Sequence, residues 1–156
     1  IYLPENHIDF ISDLSQNMNL SRTIQASSAL GLGKSEYTIK VNSETQIASI
    51  KVEHIGEDFI EVMNQELEKL EPLELAFTML NLPISQEAAS LAFSELENLG
   101  FFWGAWLPNY SEHGDMLRLQ KLHESVNVDE INCARPQGES IKKYVVSEWQ
   151  RVSKDK

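Results

Sequence analysis

Apolar residues recur at helical spacing in four stretches of this chain, and β-type runs fill most of the intervals between them. Residues 1–3 read as a short strand ended by Pro4. Residues 5–19 read as a helix, with His7, Phe10, Ile11, Leu14 and Met18 on one stripe. A further strand is expected over 23–27, and Gly31 and Gly33 mark a turn. Two β-rich runs follow, 37–41 and 46–54, joined by Asn42-Ser43-Glu44 as a hairpin and ended by Gly56. Residues 58–70 carry Phe59, Ile60, Met63, Leu67 and Leu70 at helical spacing, and Pro72 blocks continuation. The continuous apolar run 75–80 predicts a strand covered on both faces, interrupted by Pro83. Ser85 is the expected cap of the next helix, whose stripe is Ala88, Leu91, Ala92, Leu96 and Leu99, with Gly100 as its stop. An aromatic strand over 101–107 and an alternating strand over 116–122 come next. A polar connection with Pro136 and Gly138 leads to a last helix striped by Ile141, Tyr144, Val145, Trp149 and Val152.

The resulting order, β-α-β-β-β-α-β-α-β-β-α, implies helices packed on a mixed sheet. The length, 156 residues, suits one domain with its own core. We expect residues 1–156 to form a single domain, with a core over about 1–122 and an appended helix over 137–153. Because the chain opens on Ile1-Tyr2-Leu3 without Met, it is expected to be cut from a longer protein.

Charge narrows the partners. Thirteen Lys and Arg stand against 24 Asp and Glu, a net charge of -11, which opposes nucleic acid and anionic membrane as partners. The longest uncharged run, 98–111, is broken by Gly100, Gly104 and Pro108 and falls short of a membrane span. A single cysteine, Cys133, excludes an internal disulfide and fits a reducing, cytoplasmic setting.

The element order is similar to that of the GNAT superfamily of acyl-CoA N-acyltransferases. Residues 76–122 carry the closest likeness: Leu80-Asn81-Leu82-Pro83, then Gly100-Phe101-Phe102-Trp103-Gly104, Leu107-Pro108 and Asp115-Met116-Leu117-Arg118-Leu119-Gln120. Together with Leu3-Pro4-Glu5-Asn6-His7 and Ile55-Gly56-Glu57-Asp58, this arrangement resembles GNAT-like domains of bacterial proteins, some following a histidine-kinase-type ATP-binding domain. The resemblance implies an α/β fold with a mixed, mostly antiparallel GNAT-like sheet flanked by helices, to which this chain adds a C-terminal helix. It also implies an upstream ATP-binding domain or a protein partner.

A GNAT enzyme holds the pyrophosphate of acyl-CoA on backbone N–H groups between a strand and a helix N-terminus, in a loop written Q/R-x-x-G-x-G/A. The matching stretch here is His54-Ile55-Gly56-Glu57-Asp58-Phe59, with one glycine and two carboxylates where phosphates would lie. Eight acids and one base lie between Glu53 and Glu74. Acids in a first helical turn satisfy the helix dipole themselves, so Glu57 and Asp58 also read as plain helix-start residues. On the family's pattern His54, Gly56 and Asn81 are the candidate cofactor-binding residues, with acetyl-CoA as the possible cofactor. Tyr110 is the candidate acid for a leaving thiolate, with Glu112 and His113 as candidate base or ligand groups, in what otherwise reads as an exposed loop. Asn81 equally reads as a turn residue before Leu82-Pro83.

Other motifs carry less. Gly31-Leu32-Gly33-Lys34-Ser35 mimics the end of a P-loop, but Ser28 stands where the first glycine belongs and no helix is expected after Ser35. His7, His54, His113 and His123 match no metal-ligand spacing, so no metal is expected. His7, on an apolar face, reads as a core or helix-start histidine, and Cys133 lacks a nucleophile's surroundings. Trp103 and Trp106 point to opposite faces if their strand is regular; they pack the core or line an apolar groove. Lys142, Lys143, Arg151, Lys154 and Lys156 make the last helix locally basic, a solvated face or one suited to an acidic surface.

Three functions follow from this reading. The first is a ligand-binding or regulatory module that has lost ordinary acetyl-CoA chemistry, taking a small molecule or a partner. The second is an active N-acetyltransferase moving an acetyl group from acetyl-CoA to an amine. The third is a protein-interaction domain.

Overall fold

The computed structural model describes residues 1–123 and 136–154. Cys133 and Lys156 lie outside the described residues. Helix α1 (Glu5–Asn17) leads by a long irregular segment to the hairpin β1 (Glu36–Asn42) and β2 (Ile47–His54). Helix α2 (Phe59–Leu70), strand β3 (Phe77–Pro83) and helix α3 (Ala89–Asn98) follow. Strands β4 (Phe102–Ser111) and β5 (Gly114–Leu122) and helix α4 (Pro136–Lys154) complete the order.

The sheet order is β1-β2-β3-β5-β4. Only β2 and β3 run parallel, joined by the α2 crossover; the other pairs are antiparallel. This is the mixed, mostly antiparallel α/β arrangement expected from the sequence, with a C-terminal helix added.

Cross-strand register explains the core. Ile50, Leu80, Leu119 and Trp103 form one row across four strands, and Leu82, Leu117 and Trp106 the next. These side chains are buried with Ile11 of α1, Phe59 and Met63 of α2, and Phe93 and Leu96 of α3. The opposite face carries the row Thr38, Lys51, Asn81, Arg118 and Ala105. Strand β3 is therefore covered on one face only, and its exposure alternates, contrary to the two-sided burial expected from its apolar run. Pro83 closes β3 rather than interrupting it.

Several local expectations give way to tertiary contacts. Residues 1–3 and 23–27 form no strand; they run alongside each other through a single bridge, Tyr2 to Gln25. Ser85 does not cap α3: its hydroxyl donates to the His113 carbonyl at 2.6 Å, and the helix begins at Ala89. Pro136 and Gly138 form the first turn of α4, where the N–H that proline lacks would have no helical partner anyway. Trp103 and Trp106 share a face, because a register shift makes Gly104 an extra residue on β4.

Helix α4 is joined to the core. Tyr144 stacks on Phe10 with ring centroids 3.7 Å apart and meets Trp103 edge-on at 5.3 Å. Its hydroxyl also bonds Nδ1 of the fully buried His7. Arg151 pairs with Glu97 of α3 and Glu148 of its own helix. The basic side of α4 thus meets α3 through Arg151.

Candidate functional site

The carboxyl ends of the parallel strands β2 and β3 are where a sheet of this kind opens a crevice for a ligand. Their pairing stops at Lys51 and Asn81, and the strands diverge beyond it. The loop His54–Phe59 begins there and feeds the N-terminus of α2.

That loop is already occupied by the chain itself. Residues 31–35 lie across it as a strap. His54 Nε2 bonds the Leu32 carbonyl at 2.6 Å. The Gly56 N–H donates to Ser35 Oγ at 2.9 Å, and the Glu57 N–H to the Gly33 carbonyl at 2.9 Å. Asp58 Oδ1 accepts from the Ser35 N–H at 2.8 Å, which leads the hydrogen bonding that holds its carboxyl below the usual carboxylate range.

Glycine makes this approach possible. A Cβ on Gly31 would lie 2.0 Å from the Ile55 carbonyl oxygen, and one on Gly56 would lie 2.5 Å from Gly33 O, Lys34 C and Ser35 N. Gly31-Leu32-Gly33-Lys34-Ser35, which mimics a P-loop in sequence, is the strap, and β1 follows it directly. Gln86 fills the divergence between the strands. Its Oε1 accepts from the Ile55 N–H at 2.9 Å and its Nε2 donates to the Glu53 carbonyl at 2.8 Å. Of the candidate cofactor residues, His54 and Gly56 are both engaged by the strap, whereas Asn81 bonds Arg118.

Asn81 sits within β3, not in a turn, and its Oδ1 accepts from Arg118 Nε at 3.0 Å. With Tyr110, Arg118, Lys40, Lys51 and Glu53 it lines a groove of about 400 Å³ on the open sheet face. Every lining residue belongs to a strand. Tyr110 is on β4 rather than in the loop expected, and 54% exposed. Glu112 and His113 form the β4–β5 turn. His113 Nε2 lies 3.1 Å from Glu53 Oε2 and 3.5 Å from Glu112 Oε1. Tyr110 and Asn81 thus share the groove, and His113 reaches it through Glu53; Glu112 is largely exposed.

A larger cleft of about 750 Å³ lies at the other end of the sheet, lined by Glu68, Glu71 and Glu74 beside His123. None of the candidate residues borders it.

Sequence reasoning missed two partners. Asp115, 4% exposed, accepts from Arg22 Nε at 2.7 Å, Trp106 Nε1 at 3.1 Å and the Asn109 N–H at 2.9 Å. Burial opposes its charge, but these donors and the Arg22 charge outweigh it and hold the carboxyl low. This clamp ties the segment after α1 to the β4–β5 hairpin. The second partner is the ring of groups around His7, whose Nε2 lies 3.8 Å from Glu97 and 3.9 Å from Glu148. Those three residues are the one group of potential metal ligands among the described residues, and Arg151 pairs with both carboxylates.

Among the described residues no helix is long and apolar enough to cross a membrane. No family model matches the chain, and no curated protein does. Among solved structures it is similar to the ribosomal-protein-S18-alanine N-acetyltransferase from Escherichia coli, with 15% identity and a TM-score of 0.43 over 62% of this chain and 65% of that one. It is similar to a chain of the NatC complex bound to Gag peptide and CoA, with 13% identity and a TM-score of 0.44 over 58% and 60%. It is also similar to Ard1 from Thermoplasma volcanium, with 17% identity and a TM-score of 0.44 over 58% and 64%. Each match spans less than two thirds of the other chain's length.

Proposed function

We propose that this chain is a ligand-binding or regulatory module on a GNAT-like fold, one that does not hold acyl-CoA phosphates on its β2–α2 loop. The observation that carries this reading is the strap. The Gly56 and Glu57 N–H groups, the ones a pyrophosphate would need, are taken by Ser35 Oγ and the Gly33 carbonyl. Asp58 and Glu57 add negative charge at the same helix end, which repels a phosphate. Gln86 uses the backbone groups of Glu53 and Ile55 that the diverging strands leave open. Fold alone does not confer the enzyme's chemistry.

Thermal melting with acetyl-CoA and CoA tests this. A ligand at 100 times its Kd stabilises by about 2.7 kcal/mol, and each kcal/mol is worth roughly 2–4 °C at this size. We expect no shift. A saturable shift with acetyl-CoA that survives Arg118→Gln overturns the closed-loop reading.

One observation favours the second reading, acetyl transfer from acetyl-CoA to an amine. Glu53 and Tyr110 both line the groove and His113 pairs with Glu53, a carboxylate, a phenol and an imidazole suited to acid–base work. Thiol release from acetyl-CoA that requires Tyr110 and His113 would establish it.

A further inference from the structure

We infer that the open sheet groove binds a small multivalent anion, carrying carboxylate or phosphate groups, between Arg118, Asn81, Lys51 and Lys40. This rests on the binding-module reading and names the ligand class of that module.

The chain as a whole repels anions, with a net charge of -11. Its open sheet face runs the other way. Lys51, Asn81 and Arg118 are direct cross-strand neighbours on β2, β3 and β5, and Lys40 lines the same groove from β1. The groove lining holds three cations, Lys40, Lys51 and Arg118, and one carboxylate, Glu53, which lies 3.2 Å from Lys51 Nζ and also faces His113. The three cations converge on one face of the sheet, Lys51 and Arg118 on either side of Asn81, against a single carboxylate.

The hydrogen-bonding inventory points the same way. Asn81 Oδ1 is used by Arg118 Nε, which leaves the Asn81 amide nitrogen to donate. Ammonium and guanidinium groups only donate, and the Tyr110 hydroxyl can donate. The groove therefore offers mostly donors, and its complement is an acceptor-rich, negatively charged molecule. Neighbouring strands lie about 4.8 Å apart, so the Lys51 and Arg118 stems stand roughly 10 Å apart with Asn81 between them. Long flexible arms at that separation converge on a molecule with more than one anionic group. The volume, about 400 Å³, lies at the small-molecule end of ligand sites and suits a metabolite-sized anion rather than a helix or strand of a partner.

Isothermal titration of the 156-residue chain with citrate and with pyrophosphate, at ionic strength held constant with sodium chloride, tests the inference. We expect one saturable site for at least one probe. Its affinity should weaken about 10-fold or more in Arg118→Gln, and likewise in Lys51→Gln, a residue 51% exposed whose replacement leaves the core intact. Citrate alone binding identifies polycarboxylates, and pyrophosphate alone identifies phosphates. Saturable heat from neither probe at 10 mM, on the order of the weakest useful affinity, overturns the inference and leaves the closed loop standing. Binding indifferent to Arg118→Gln and Lys51→Gln but strengthened by Asp58→Ala, which removes a repelling carboxylate and a strap contact, would place the anion on the β2–α2 loop, overturning both readings.

Discussion

Substituting Gly56 by alanine tests the strap directly. Gly56 has an ordinary φ, so the cost of a methyl group there is steric rather than conformational. The new Cβ would stand 2.5 Å from Gly33 O, Lys34 C and Ser35 N. All three are backbone atoms, so no flexible side chain can give way. Restoring ordinary contact requires the strap to retreat by roughly 1 Å, and overpacking of this kind costs about 1–3 kcal/mol. Full release would also give up the bonds His54–Leu32, Gly56–Ser35, Glu57–Gly33 and Ser35–Asp58. At a net worth of about 1 kcal/mol each, their loss sets an upper bound near 4 kcal/mol. We expect a loss of about 2 kcal/mol, which at this size lowers Tm by roughly 4–8 °C. Calorimetric melting supplies the stability. Hydrogen exchange at the amides of Ser35, Gly56 and Glu57 reports whether the strap has lifted, since their protection depends on it. A variant that melts within about 1 °C of the parent, with these amides equally protected, would refute the close backbone packing on which the closed loop depends.

Two further perturbations follow from the buried charges. Asp115→Ala leaves Arg22, the Trp106 N–H and the Asn109 N–H without their acceptor; we expect a loss of about 3–5 kcal/mol in urea unfolding, and a smaller loss for the part-exposed Arg22→Ala. His7, whose pKa is lowered to about 4 by burial despite the attraction of Glu148, stays neutral in the fold while the unfolded chain takes up its proton near the ordinary value of 6.5. The stability it contributes is complete above pH 6.5 and is lost as pH falls toward 4, by at most about 3 kcal/mol at 1.36 kcal/mol per unit. Glu148, pushed up by burial, acts in the opposite sense, so the measurement is the difference between parent and His7→Gln across pH 4–7. A difference that does not change over that range would show that His7 takes up its proton in the fold as readily as in the unfolded chain, contrary to its burial.

Much of the framework was legible in the chain because its causes are local. The stripe Phe59, Met63, Leu67 and Leu70 places α2 to within a residue of its observed start, and the alternation at 37–41 places β1. The closure of the phosphate loop was half legible. Its missing glycines and its carboxylates stand in the sequence, but the strap that covers it does not, because the pairing of Gly56 with Ser35 spans 21 positions and carries no periodic signal. Asn81 and Tyr110 were identified as candidates without any sign that Lys51 and Arg118 would join them. That grouping depends on β5 lying between β3 and β4, a choice made by sheet topology.

The sequence by itself determined where the helices and most strands form, since 3.6- and 2-residue spacings of apolar side chains act over a few positions. It also determined the acid-rich surroundings of the loop. Tertiary structure alone decided how distant polar groups are satisfied: the strap over Gly56, Gln86 between the diverging strands, Asp115 on Arg22, and His7 on Tyr144. The reason is physical. A buried backbone N–H or carboxylate accepts any complementary partner, and only the packed chain brings one within 3 Å.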